Sequence, residues 1–210
     1  MNLIVHPAYF PNIATFSVLA QHTVIWEAHD NFQKQTYRNR CYICTDQGKH
    51  MLNIPIKHVG GKEGRQKYRD VEIDHTYNWQ KQHWRTLETA YRTSPFFEFY
   101  EDDLRPLFEK REKFLFDFNL KTIQTTFDCL GIPMPIERTK MFEMSTSNDM
   151  DARFLVEAKK PLSFTPAGYS QVFEERHGFI PDLSILDLLF NEGTNTLDYL
   201  KSQSLSFVDV

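Results

Sequence analysis

The apolar period of this chain changes once, near Trp79, and that change does most to limit the folds open to it. Before Trp79, apolar residues alternate with polar ones or run in short stretches, as strands do when they show one face or both to a core. After it, Trp79, His83, Leu87 and Tyr91 recur every four residues, which lines them along one side of a helix. The two periods together predict a mixed α/β fold. A β-rich part over residues 1–75 packs against a helical part over 76–131. An irregular stretch over 132–168 and closing helices over 169–202 complete what reads as a single domain of 210 residues.

Within the first part, Leu3–Val5 is an apolar run stopped by Pro7. Asn12 is placed to cap a helix carrying Phe16, Leu19 and Ala20, and Thr23–Ala28 is a second β-rich run. Strand, helix and strand in so short a span predict a βαβ unit with a parallel pair. Tyr37–Thr45 and His50–His58 alternate on either side of the turn Asp46-Gln47-Gly48, with Leu52, Ile54 and Ile56 on one face, so a β-hairpin is expected. Val59–Lys67 reads as a glycine-rich mobile loop and Asp70–Asp74 as a returning strand. Helices are expected over 79–94, 96–108, 114–130, 169–177 and 184–191, the last ended by Gly193.

Composition removes several classes of function. A formal net charge of −4 argues against nucleic-acid binding, which needs a basic face to displace counterions. No apolar run approaches the ~18 residues of a membrane span, and the opening MNLIVHPAYFPN lacks the basic leader of a signal peptide. Three cysteines and no secretion signal point to a reducing compartment, so the cytoplasm is expected.

Familiar catalytic and metal motifs are missing. Cys41-x-x-Cys44 lies on an expected strand, where residues three apart face opposite sides, and no second ligand pair follows, so structural thiols are expected. The eight histidines form no HxH, HxxxH or HExxH, and no metal site is indicated. What remains is a basic stretch, Lys34 to Arg40, in which Arg38 and Arg40 would share one face of a strand starting near Tyr37. Two adjacent guanidiniums need an anion between them, either a ligand's or a carboxylate of the chain itself. His6-Pro7-Ala8-Tyr9-Phe10-Pro11 follows the first strand, where open α/β sheets bind ligands, though its rings also suit a rigid plug for the core. The βαβ opening also permits a nucleotidyl-transfer reading, in which the strand-loop-helix start would hold a phosphate, although such loops usually carry a glycine or paired histidines and this one has His6 alone. His83 either sits in the core with two hydrogen-bond partners or lines a cleft with the arginine face.

Several blocks, in order, resemble the WbqC-like family of bacterial proteins: HPAYFPNIATFSVL, KQTYRNRCYI, MLNIPI, NWQKQHWRTLETAYRTSPFFEFY, and YSQVF followed by GFIPDLSILDLLFNEG. The resemblance spans about the first 120 residues and again 169–200. It implies a cytoplasmic protein encoded near surface-polysaccharide genes, and a transferase that adds acyl or aminoacyl groups to sugars. Many members have Gln-Pro where this chain has His6-Pro7, so the resemblance assigns His6 no role. Two functions therefore stay open. One is a transferase acting on a nucleotide- or lipid-linked sugar, with His83 and His6 as catalytic candidates. Tyr9, Lys34, Tyr37, Arg38, Asn39 and Arg40 would bind the anionic or sugar substrate, and the cofactor is left open. The other is a non-catalytic binding or assembly protein of the same pathway. Convergence of His6, Tyr9, Arg38, Arg40 and His83 on one pocket would favour the enzyme.

Overall fold

The computed structural model of the protein describes residues 2–57, 66–144, 149–160 and 162–208. Its centre is a short parallel sheet in the order β2-β1-β5, formed by Val24–Trp26, Leu3–Val5 and Met150–Asp151. Leu3 pairs with Val24 on one side and Met150 on the other. Strands covered on both faces need apolar side chains throughout, which is why β1 and β2 read as continuous runs without alternation. Helix α1, Ile13–Gln21, makes the crossover between β1 and β2, as the βαβ reading expects. Asn12 caps it, accepting the Thr15 N–H at 3.2 Å and the Thr15 hydroxyl at 2.6 Å. Every residue from Ile13 to Leu19 is buried, so the helix is enclosed within the fold.

The hairpin pairs β3, Arg40–Thr45, with β4, Gly48–Asn53, from Arg40↔Asn53 to Thr45↔Gly48. Both strands are shorter than their alternation suggests. Beyond Asn53 the ladder ends, and Ile56 pairs with Ile73 as an isolated bridge. The strand expected over Asp70–Asp74 is not there. A 3-10 turn covers Tyr68–Asp70, and Glu72 and Ile73 each bridge to a different neighbour, Phe114 and Ile56. A segment divided between two partners cannot propagate one ladder. Of the expected mobile loop, residues 59–65 lie outside the described residues.

The helical part follows the sequence reading closely. Helices α2, Trp79–Tyr91, α3, Phe97–Glu109, and α4, Leu115–Cys129, pack against one another, and the four residues at spacing four in α2 are all buried. The region 169–177 carries a single helical turn, α5, Glu174–His177; α6 runs from Ile185 to Glu192. β5 had no sequence signal, being too short for any period; α7, Thr196–Ser202, falls in the stretch expected to hold closing helices though it was not singled out, and it packs on α1. Asp187 of α6 is fully buried, yet accepts hydrogen bonds from the Tyr91 hydroxyl (2.6 Å), the Tyr169 hydroxyl (2.5 Å) and the Gln171 amide (3.0 Å). This network ties the closing segment to α2.

Gly193 ends α6 with φ +55°, and a Cβ placed there would lie 2.4 Å from the Phe96 ring. Backbone conformation and space both demand glycine. Gly193→Ala should therefore lower the unfolding free energy by about 3 kcal/mol in a urea titration, the sum of left-handed strain and overpacking.

Candidate functional site

Three loops leave the carboxyl ends of the parallel strands, and each brings a charged or titratable side chain to the same edge. His6 follows β1, Glu27 follows β2, and Asp151 with Arg153 closes and follows β5. The loop beyond β2 adds Asp30, and the segment before β3 adds Arg38. His6 is 3% exposed, and its Nε2 lies 3.1 Å from Asp30 Oδ2; Arg38 Nη2 lies 3.2 Å from the same oxygen. Arg153 is held by Asp151, at 2.8 Å from Nε and 2.6 Å from Nη2, and stands 3.6 Å from Glu27. The Glu27 carboxylate accepts the His29 N–H and the Thr139 hydroxyl.

Burial pulls the pKa of His6 down to about 4, against the hydrogen bond to Asp30 that would raise it; Arg38 adds repulsion. Burial pushes the Asp30 carboxyl up, but the hydrogen bond from His6, the Asn31 N–H and the Arg38 guanidinium hold it below the usual carboxylate range. A neutral imidazole facing an ionised carboxylate carries its proton on Nε2, which leaves Nδ1 as a bare lone pair. Nδ1 is buried with no hydrogen-bond partner among the described residues. The arrangement is an oriented, neutral base.

Two residues that the sequence did not single out hold this geometry. Asn119, 0% exposed in the middle of α4, donates its amide to the Arg38 carbonyl at 2.6 Å and to the Tyr68 hydroxyl at 2.5 Å. Tyr68 in turn donates to the Pro7 carbonyl at 2.7 Å, while its ring lies edge-on to His6 and under the Arg38 guanidinium. The only hint in the sequence was a polar, poor helix former at an inward position of an amphipathic helix.

The other sequence candidates are placed elsewhere. Arg38 and Arg40 do not form a paired anion site, because β3 begins at Arg40 and Arg38 precedes the pleat that would have aligned them. Arg38 turns inward to Asp30. Arg40, Asn39 and Lys34 line a separate cleft of about 410 Å³ on the same chain segment. His83 joins neither group. It is 6% exposed, 2.9 Å from the Tyr9 hydroxyl and hydrogen-bonded to the Asn53 backbone, with Trp79 edge-on. Burial, and not the arginines, lowers its pKa to about 4. Tyr9 is fully buried beneath Phe118, and Tyr37 packs edge-on against Tyr42 while its carbonyl accepts the Tyr9 N–H. The start of α1 is no free phosphate seat: Asp182 accepts the Ala14 N–H at 2.9 Å and the Asn12 amide at 2.6 Å. Cys41 and Cys44 are both buried: the Cys41 thiol meets Ser184, the Cys44 thiol donates to the Thr45 carbonyl at 3.7 Å while the Cys44 N–H donates to the Tyr91 hydroxyl, and burial pushes both thiols up. Among the described residues no group of three or more His, Cys, Asp or Glu is arranged to hold a metal, and no helix is long and apolar enough to cross a membrane.

The fold and this edge define a mixed α/β protein with a histidine–carboxylate–arginine cluster at the carboxyl ends of a parallel sheet. The chain belongs to the WbqC-like protein family, which matches residues 6–165 and so takes in every residue of that cluster. It is 29% identical over 196 residues to the uncharacterized protein Rv1507c of Mycobacterium tuberculosis, covering 81% of this chain and 84% of that one. No solved structure matches the chain.

Two measurements probe the cluster. His6 and His83 take up a proton near pH 6.5 when unfolded and near pH 4 when folded, so the unfolded state binds more protons between those values. Each histidine then costs about 1.4 kcal/mol of stability per pH unit as pH falls through that window. Asp182, raised to about 6 by burial, gives a slope of opposite sign over part of it. Ring-resolved NMR avoids the overlap, and should show both imidazoles neutral until the pH nears 4. Separately, Arg38→Ala should lower stability by about 3 kcal/mol by leaving Asp30 without its counter-charge. Arg40→Ala should leave stability within about 0.5 kcal/mol of the starting protein, since no carboxylate among the described residues depends on it.

Proposed function

We propose that this protein is a transferase of glycan-precursor metabolism that moves an acyl or aminoacyl group onto a nucleotide- or lipid-linked sugar, with His6 as general base. The observation that carries the reading is the buried, neutral imidazole, held on Nε2 by Asp30 and bare on Nδ1, at the carboxyl edge of a parallel sheet. In such a step a sugar hydroxyl or amine gives its proton to His6 Nδ1 as it attacks the carbonyl of an activated acyl donor. The imidazolium then returns the proton to the departing group. A pKa near 4 keeps His6 unprotonated at neutral pH but makes it a weak base. Asp30 offsets this by stabilising the imidazolium as it forms. Because Nδ1 is closed to solvent, the substrate has to part the surrounding side chains to reach it. Arg38 is committed to Asp30 and Arg153 to Asp151, so within this reading their task is to fix the carboxylates.

The same mutual pairing supports a second reading, a non-catalytic binding or assembly protein in which the cluster is a structural ion network. Transfer assays separate the two. Incubating the protein with an activated acyl donor and either a nucleotide-linked or a lipid-phosphate-linked sugar should yield a mass increment on the sugar. His6→Gln and Asp30→Asn should each reduce its rate by about 10²–10⁴-fold with the fold intact. Full turnover by the His6→Gln protein would remove His6 as the base, and no product with any donor would favour the binding module.

A further inference from the structure

We propose that the cleft beside the charged cluster binds a nucleoside phosphate, which makes the nucleotide-linked sugar, and not the lipid-linked one, the substrate of the transferase reading on which this rests. The cleft lies between the 32–40 segment and residues 53–56 and 74–77, with a volume of about 410 Å³ and Ile54, Pro55 and Ile56 among its lining. That is ample for a ring and a phosphate chain and far more than inorganic phosphate needs.

Several of its polar groups have no partner among the described residues. Lys34 and Arg40 make no ion pair or side-chain hydrogen bond among the described residues, in contrast to Arg38, two residues before Arg40. The Arg40 Nε is buried without an acceptor among the described residues, while the residue as a whole is half-buried, and an anion such as a phosphate oxygen reaching the guanidinium would complete that nitrogen. Asn39 is 8% exposed. Its amide nitrogen donates to the Asn53 side chain at 3.1 Å and to the Ile54 carbonyl at 3.1 Å, which fixes the side chain and leaves its buried Oδ1 with no donor. An acceptor fixed in that way suits an N–H or hydroxyl of a ligand.

Two further features distinguish a nucleotide from a simple anion. Tyr77 leaves 66% of its surface in solvent at the cleft, a flat apolar face on which a base can stack. Asp74 engages Thr76 through Oδ1, and among the described residues no donor meets Oδ2, which can accept a hydroxyl such as those of a ribose. One carboxylate against two cations leaves the lining positive within an acidic protein.

Calorimetric titration of the full chain with UDP, ADP, uridine and inorganic pyrophosphate tests this directly, and the UDP and ADP arms tell which base is preferred. At least one of the two nucleotides should bind more tightly than both uridine and pyrophosphate. Arg40→Ala and, as a check against misfolding, the exposed Lys34→Ala should each weaken it by about tenfold. Tyr77→Ala should weaken the nucleotide and leave pyrophosphate unchanged. The proposal is overturned if neither nucleotide binds at about 1 mM, if pyrophosphate binds as tightly, or if the Arg40 and Lys34 variants bind undiminished. Since no second substrate is present, nucleotide binding without any transfer would remove the transferase reading alone. Transfer onto a lipid-linked sugar without nucleotide binding would remove this one alone.

Discussion

Arg38 keeps its charge at 1% exposure, and a guanidinium at that depth costs several kcal/mol unless the surrounding structure is built to receive it. Much of the first half of the molecule is arranged to do so. Asp30 supplies the counter-charge, Thr36 a weak hydroxyl contact at 3.5 Å, and the Tyr68 ring a face 5.3 Å from the guanidinium carbon. Asn119 grips the Arg38 backbone from α4 and, through Tyr68, the backbone of Pro7. One buried cation thus joins the loop after β1, the loop after β2, the approach to β3 and the middle of α4. The same contacts fix the position of His6.

That arrangement is a consequence of strand direction. Parallel strands send their connections out from the same end, so residues far apart in sequence, His6, Glu27 and Asp151, meet at one edge. The helix start that could have competed for an anion there is filled by Asp182 and Asn12, which leaves the edge's chemistry to side chains. The exit from β5 adds Arg153, which also donates to the Glu143 and Met144 carbonyls and so ties the preceding segment to the cluster.

How much of this was legible follows the range of the signals. Local pattern was enough for β1, α1, β2, the hairpin and α2 to α4: the hairpin and the later helices bury a face that repeats within the element, β1 and β2 are unbroken apolar runs, and Asn12 marks the start of α1. It failed at Asp70–Asp74, whose alternation is real but divided between two partners, and at β5, where two residues cannot show a period. The site was half legible. The loop after β1 and the basic run 34–40 stood out as residue types, but their pairing did not, since Asp30 and Asn119 meet Arg38 only through tertiary packing. The alignment of Arg38 with Arg40 assumed a strand that starts near Tyr37; the strand starts at Arg40, and the two guanidiniums part. His83 kept the helical face expected of it and found its second partner in Tyr9, satisfying the need for a buried imidazole to be bonded at both nitrogens.

The separation of the two arginines has a structural consequence of its own. Residues 38, 39 and 40 are consecutive, yet the first is locked into the interior, the second is clamped to the hairpin through Asn53 and Ile54, and the third lines the cleft with no ion pair among the described residues. A short segment held at its inner end by a buried ion pair has little freedom to shift, so the outer end is presented in a fixed position. Phe32 makes a second link, since it lines the cleft while its ring packs against Tyr68, the same ring that borders His6. The neutral histidine and the Arg40 guanidinium are therefore mounted on one rigid support, and an anion seated at Arg40 would have its position relative to His6 set by the packing around Arg38.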